Sequence, residues 1–240
     1  MHEDWVLVAE PAGAAGVVEP SLSDQRPPAI VPVPASGRAW PGKRVIDILG
    51  ASALLLLTLP LLLLMAVLVK ATSPGPIFFR QRRVGRGGTE FRMFKFRTMH
   101  MHSEARLRSD AALHDLFMRS GHKIPSHLDP RITRVGKLLR RLSLDELPQL
   151  LNVLLGDMSI VGPRPVERTQ LDRDYGGYAP IYLALRPGLT GLWQVSGRST
   201  VHFPERAELD GQYLRACGPW IDAKILLRTP LVVLTGLGAD

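Results

Sequence analysis

The alternation of apolar and polar positions divides the chain before any composition is counted. Residues 48–69, ILGASALLLLTLPLLLLMAVLV, form an uncharged run bounded by Asp47 and Lys70. As a helix rising about 1.5 Å per residue it reaches roughly 33 Å, enough to cross a hydrocarbon layer of about 30 Å. Its leucines are apolar on every face, unlike the single stripe of a helix in a soluble core. A cleaved signal sequence fits poorly, because about forty residues precede the run and basic sequence follows it without a cleavage region. Pro60 sits near the middle, where it removes a helical N–H and clashes with the preceding turn. A kinked spanning helix and a re-entrant hairpin both accommodate it. Lys43 and Arg44 lie before the run, and Lys70, Arg80, Arg82, Arg83 and Arg86 after it. Basic residues on both flanks favour the re-entrant form, because a simple crossing strands one flank on the disfavoured side.

Elsewhere the pattern is that of a small body. Residues 1–42 are rich in Ala, Gly, Val and Pro, as in RPPAIVPVPASG, and read as a flexible tail. ATSPGP at 71–76 is a stiff exit from the apolar run. Between 77 and 97, imperfect alternation around Gly85, Gly87 and Gly88 predicts a short β-hairpin with its basic residues on one face. Residues 99–122 include a short helix, and 127–141 lead into a helical stretch ending in Arg140 and Arg141. Leu147, Leu150, Leu151, Leu154 and Leu155 give the next helix its apolar face, and Gly156–Asp157 ends it. GPRP at 162–165 is a rigid turn able to aim Arg164, and the segment 220–239 is amphipathic, then very apolar, as in an interfacial helix.

Charge changes this picture only through its placement. The net +8 arises from residues 70–142, which alone carry +12, whereas 143–240 are slightly acidic at −2. Next to an apolar hairpin, such a basic stretch suits anionic headgroups or a polyanionic small substrate better than DNA. The lone Cys217 excludes a scaffold built on internal disulfides. The glycines at 85–88 match neither a phosphate loop nor a dinucleotide fingerprint.

The most chemically suggestive segment is SLDELPQLLNVLLGDMSIVGPRP, residues 143–165. Ser143 and Glu146 have the spacing of a capping box, and Asp145 could itself cap a helix with Pro148 at N3. Capping does not require adjacent carboxylates beside Arg140, Arg141 and Arg164. Adjacent carboxylates can divide labour, one attacking phosphorus and the other holding a divalent metal, while arginine forks hold phosphate oxygens. Capping and catalysis both remain open on spacing alone. Asp157 is either a turn cap or a partner of metal or arginine, and Trp193 and Gln194 suit either core packing or a nucleobase.

KRVIDILGASALLLLTLPLLLLMAVLVK, SPGPIFFRQRRVG, FKFRTM, DPRITRVGKLLRRLSLDELPQLLNVLLGDMSIVGPRP and LRPGLTGLWQVSGR together resemble the bacterial sugar transferases, the monotopic phosphoglycosyl transferases. The resemblance covers residues 43 to about 237 and rests on several ordered blocks. It implies an α+β fold: a monotopic membrane protein with a re-entrant helix-break-helix over 43–70, amphipathic interfacial helices, and a small cytoplasmic catalytic domain over 71–240. The implied reaction transfers a sugar 1-phosphate from a UDP-sugar to undecaprenyl phosphate, releasing UMP, with Mg²⁺ as cofactor and an aspartyl phosphosugar intermediate. This is the first membrane step of an exopolysaccharide or glycoconjugate.

The resemblance makes Asp145 the nucleophile, with Glu146 assisting at the metal and phosphate site. It assigns Lys95, Arg97, Arg140, Arg164, Asp157 and, more loosely, Gln194 to phosphate or nucleotide binding. It makes Leu59–Pro60 the membrane break, where relatives commonly have Ser-Pro; here Thr58 stands one step earlier. The implied location is the cytoplasmic face of the bacterial inner membrane. The implied partners are the donor, the lipid acceptor and membrane lipid, without nucleic acid, in a small enzyme able to pair as a homodimer through its apolar flank. The N-terminal region is too short and polar for the extra membrane helices of larger relatives, which implies the short catalytic form. The competing functions are a metal-dependent membrane phosphohydrolase and a non-enzymatic scaffold.

Overall fold

The uncharged run folds as helix α1, Lys43–Thr72, in a computed structural model that describes residues 39–119, 124–126, 128–197 and 200–234. The tail expected over 1–42 lies outside the described residues except for its last four. The helix continues through Pro60. The hydroxyl of Thr58 donates to the Leu54 carbonyl at 2.7 Å, a back-bond of the kind that bends helices. The carbonyl deprived of its usual donor by Pro60 is that of Leu56, so Thr58 does not replace the serine of the usual Ser-Pro break at that group.

One narrow seam of α1 faces the body. Lys43, Asp47, Ala51, Met65 and Val69 are buried and Leu55, Thr58 and Leu62 half-buried, a spacing of three and four residues for one side of a helix. The outer face stays bare, with Leu57 77% exposed. Near its start, Ala51 joins a core with Leu150, Val153 and Ile160. Near its end, Met65 and Val69 pack with Phe96 and Leu139. Both ends of α1 therefore rest on the same body.

The charged residues preceding the apolar run fasten that start. Lys43 Nζ donates to Asp222 Oδ2 at 2.6 Å, where Trp40 Nε1 also donates, and the Tyr213 hydroxyl donates to Asp222 Oδ1 at 2.7 Å. Asp47 Oδ1 accepts from the Ser159 hydroxyl and the Ile160 N–H, both at 3.0 Å.

Strands β1 (Phe78–Val84) and β2 (Glu90–Phe96) form the expected antiparallel hairpin, from Phe78↔Phe96 to Val84↔Glu90. At its tip Gly87 and Gly88 take left-handed φ values of 70° and 84°, which side chains disfavour. The basic residues do not share one face. Arg80, Arg82 and Arg92 point outward, whereas Arg83 and Lys95 are half-buried on the face of Phe91 and Met93. Opposite parity in a period-two strand requires this split.

Helices α2 (Ser103–Ser109) and α3 (Ala111–Arg119) follow, then α4 (Arg134–Arg141), capped by the Thr133 hydroxyl on Gly136 N–H. Helix α5 (Gln149–Leu155) ends at Gly156, whose φ is 93°. Arg44 donates to the Val153 and Leu154 carbonyls at 2.6 and 2.9 Å, a cation on the negative end of α5. Buried Asn152 ties α5 to β2, donating to the Arg92 carbonyl and accepting from Phe94 N–H, both at 2.9 Å.

Strand β3 (Ser159–Val161), short helices α6 (Arg168–Gln170) and α7 (Ala179–Ala184), and strand β4 (Gly188–Thr190) come next. β3 and β4 pair in parallel, Ser159↔Gly188 and Val161↔Thr190, and a side chain at Gly188 would run into the Gly162 backbone. Helices α8 (Leu192–Ser196), α9 (Glu205–Ala216) and α10 (Pro219–Leu234) complete the body, with Tyr213 and Ile225 buried in the same core as Ala51.

Candidate active site

The Asp145–Glu146 pair does not stand in a helix cap. Ser143 turns the chain with φ 55° and makes no side-chain cap bond, and Leu144–Glu146 form a single 3-10 turn. Helix α5 starts beyond Pro148, which itself occupies the N-cap position. The capping box is absent because the Glu146 carboxylate is engaged elsewhere. Its Oε1 accepts from Lys95 Nζ at 2.8 Å and from Arg164 at 2.9 Å. β2 delivers the lysine, and the turn after β3 delivers the arginine.

Asp145 is 8% exposed, and its carboxylate accepts no hydrogen bond among the described residues. Burial, with the neighbouring Glu146 charge adding to it, pushes its carboxyl up to about 6 against Lys95, Arg140 and Arg164. Burial also raises Glu146, but the Arg164 and Lys95 charges and hydrogen bonds outweigh it and hold that carboxyl at about 2. One carboxylate is thus fixed as an anion while its neighbour is poised between acid and base. Arg140 donates from Nε to the Thr98 hydroxyl at 2.9 Å, and its charge acts on Asp145.

Lys95, Arg140 and Arg164 therefore gather around the dyad. Arg97 lines the same cleft, but its guanidinium is committed to the Pro74 and Ser73 carbonyls at 2.6 and 2.7 Å, where it pins the exit of α1. Asp157 is not among the cleft residues; it accepts from Asn152 Nδ2 at 3.1 Å beyond the end of α5. Gln194 lines the cleft, 8% exposed, with Nε2 donating to the Leu189 carbonyl at 3.2 Å and Oε1 buried without a partner among the described residues. Leu59 and Pro60 lie exposed on α1, outside the cleft.

Sequence reasoning passed over several cleft residues. Arg83 lies 3.4 Å from Glu167 and close enough to the dyad for Glu146 and Arg164 to act on its charge. Its parity with Lys95 across the hairpin was the available signal. The Arg206 guanidinium lies over the Trp193 ring at 4.5 Å and over Phe203 at 5.6 Å. Behind it, Tyr175 donates to Asp210 at 2.8 Å; burial pushes the Asp210 carboxyl up to about 7 against that bond and the Arg206 charge.

The cleft encloses about 2610 Å³, well beyond the roughly 300–1,000 Å³ of a single small-molecule pocket. It has room for more than one substrate. Two adjacent carboxylates are a donor set that could hold Mg²⁺, which takes one or two carboxylates and completes its shell with phosphate oxygens and water. Among the described residues no group of three or more acidic, His or Cys side chains stands together as a metal site.

The family model described as "Bacterial sugar transferase" matches residues 38–236. The chain is 44% identical over 203 residues to the exopolysaccharide production protein ExoY of Rhizobium meliloti, covering 80% of this chain and 86% of that protein. It is 45% identical over 201 residues to the UDP-glucose:undecaprenyl-phosphate glucose-1-phosphate transferase of Caulobacter vibrioides, covering 80% and 70%. The undecaprenyl-phosphate galactose phosphotransferase of Salmonella typhimurium is 43% identical over 199 residues, 82% of this chain but 41% of that longer protein. The chain belongs to the bacterial sugar transferase family and is an enzyme, a phosphoglycosyl transferase.

Proposed function

We propose that this chain transfers a sugar 1-phosphate from a UDP-sugar to undecaprenyl phosphate and releases UMP, at the start of an exopolysaccharide or glycoconjugate. The observation that carries this reading is the unequal dyad, a buried Asp145 free of hydrogen bonds beside a Glu146 held ionised by Lys95 and Arg164. Asp145 attacks the sugar-bearing phosphorus, the bond from that phosphorus to the bridging oxygen breaks, and UMP leaves with the electron pair. The acceptor's phosphate oxygen then attacks the same phosphorus and displaces the Asp145 carboxylate. Lys95, Arg140 and Arg164 hold the phosphate oxygens, and Gln194 lies where a nucleotide's polar groups would meet it. Asp145 and Glu146 would hold Mg²⁺, which supplies charge compensation for the diphosphate. A phosphohydrolase would use water in place of the lipid, and a scaffold would turn over nothing.

The testing assay measures UMP release from a panel of UDP-sugars with undecaprenyl phosphate and Mg²⁺. Acceptor-dependent UMP release is expected for at least one sugar, and UMP release indifferent to the lipid sinks the transferase reading. The pH dependence is a sharper check. The attacking carboxylate must be ionised, and its carboxyl sits at about 6. Single-turnover UMP release by the free enzyme is therefore expected to fall roughly tenfold per unit below that pH. A flat profile down to pH 4.5 would contradict the assignment of Asp145.

The same reading places α1 in one leaflet as a re-entrant element, with the body on the cytoplasmic face. Support comes from the two anchored ends, Lys43 and Asp47 on one side of Pro60 and Met65 and Val69 on the other. A helix crossing the bilayer would carry one end away from the body. Single cysteines placed at the exposed Pro41 and Ala71, in a Cys217→Ser background, are expected to react only with a reagent reaching the cytoplasmic side. Labelling from opposite sides would establish a crossing.

A further inference from the structure

Two cations meet on one oxygen of Glu146, Lys95 Nζ at 2.8 Å and Arg164 at 2.9 Å, yet they come from separate parts of the chain. Lys95 is carried by β2, whose pairing with β1 runs as far as Val84↔Glu90. Arg164 stands between Pro163 and Pro165 in the loop after β3. Their meeting depends on how that loop is fastened to the hairpin.

The fastening is made at Val84 and Val166. Val84 N–H donates directly to the Val166 carbonyl at 2.9 Å. In place of the reverse bond that would complete an antiparallel pair, Tyr182 of α7 inserts its hydroxyl. That oxygen accepts from Val166 N–H at 3.2 Å and donates to the Val84 carbonyl at 2.6 Å. Tyr182 is fully buried, its ring edge-on to Tyr175 at 5.2 Å in a core with Val84, Val166 and Leu171, so the hydroxyl has no freedom to retreat. Beside it the Glu167 carboxylate accepts from Gln81 Nε2 and lies 3.4 Å from Arg83, both on β1.

The inserted oxygen bonds the N–H of Val166, on the side from which Arg164 arrives. Pro165 fixes its own φ and restricts the backbone of Arg164, so an angle set at Val166 reaches the guanidinium with little slack. The far end of the loop is held on β4, where Gly188 N–H donates to the Pro163 carbonyl at 2.6 Å. Without the hydroxyl, Val166 N–H and the Val84 carbonyl either stay buried and unpaired or close on each other. Closure would draw the loop against β1 and pull Arg164 off Glu146.

We propose that Tyr182 is a positioning residue for the transfer reaction. Its hydroxyl, inserted between Val84 and Val166 and assisted by Glu167, sets the angle at which the Pro-Arg-Pro loop leaves β1 and so brings Arg164 onto the Glu146 oxygen that Lys95 also holds. Tyr182 is not among the cleft residues and acts through Arg164 alone. This role rests on the dyad reading given under Proposed function and adds what fixes one of its cations in place.

A double-mutant cycle tests it, built from Tyr182→Phe and Arg164→Ala in the full-length enzyme in phosphatidylethanolamine–phosphatidylglycerol nanodiscs. The rate of the UMP burst without acceptor is read. Y182F is expected to slow the burst roughly 10–100-fold, the scale of a displacement of about 1 Å at a reacting centre. In the R164A background the same change is expected to alter the rate by less than about twofold, because the residue it acts through is gone. A hydroxyl that only braced the core would slow both backgrounds by the same factor, and that result overturns the proposal. A Y182F burst as fast as that of the wild type overturns it too. Should Y182F fail to fold, Glu167→Ala carries the same cycle, since it loosens the loop from its half-exposed side. A fall on the order of threefold is then expected with Arg164 present and none without it, and equal falls overturn the proposal. A wild type without any UMP burst overturns the dyad reading itself, and the role of Tyr182 with it.

Discussion

Asp145→Asn is expected to abolish the covalent phosphosugar adduct and to lower acceptor-dependent UMP release by roughly 10³-fold or more, the usual scale for loss of a nucleophile. The same substitution is expected to raise thermal stability. The native Asp145 carboxyl sits at about 6, above its ordinary value of 3.8. The folded state therefore keeps a proton that the unfolded chain releases, and stability falls as pH rises from about 4 to about 6. Above that window the ionised carboxylate costs the fold about 3 kcal/mol. Asparagine is nearly isosteric and carries no charge, so this cost disappears. For a chain of this size the gain corresponds to a rise in Tm of several degrees. Intact-mass analysis after incubation with a UDP-sugar and a melting curve at pH 7.5 check the two halves together. An inactive variant that is also destabilised would point to a structural role for Asp145, whereas an active one would remove it as nucleophile.

How much of this was legible in the sequence depends on how each side chain meets the backbone around it. Lys95 and Arg164 could be read because a strand and a proline-flanked turn fix direction locally. Arg97 stands two residues beyond Lys95 and looks like its neighbour on the same face. However, β2 ends at Phe96, and Arg97, its N–H still on the Ile77 carbonyl, commits its guanidinium to the Ser73 and Pro74 carbonyls. Asp157 follows the left-handed Gly156, which swings it back onto Asn152 and away from the cleft. The apparent capping box failed because Pro148 delays α5 and the Glu146 carboxylate finds two cations instead of a backbone N–H. β3 and β4 were invisible, since three-residue strands, buried throughout in β3 and at both ends in β4, are too short to show alternation. The anchoring of α1 by Asp47 was equally hidden. A lone carboxylate before an apolar run looks like a solvated flank until β3, more than a hundred residues later, is brought beside it.

Glu146→Gln tests the other half of the dyad, and its expected signature is opposite in stability. Glu146 is lowered from 4.5 to about 2, so its ionised form contributes stability above pH 4.5 that is lost as pH falls through about 2. At neutral pH that contribution is at most about 3 kcal/mol, reduced by the 20% exposure of the side chain. Glutamine keeps the shape but leaves Lys95 and Arg164 without their anion, so Tm is expected to drop where D145N raises it. The effect on chemistry follows from the same charges. With Glu146 neutral, nothing beside Asp145 raises its carboxyl except burial, and the two released cations pull it down. The acid limb of the UMP burst is therefore expected to move below its wild-type position near 6. Turnover should nevertheless fall roughly 10²–10³-fold, because Lys95 and Arg164 lose the anion that holds them and one of the two carboxylates proposed to hold Mg²⁺ is gone. A carboxylate that only braced the fold would lower Tm and leave the acid limb where it was. The shift in pH dependence, measured on the surviving burst, is what separates a partner of the nucleophile from a strut beneath it.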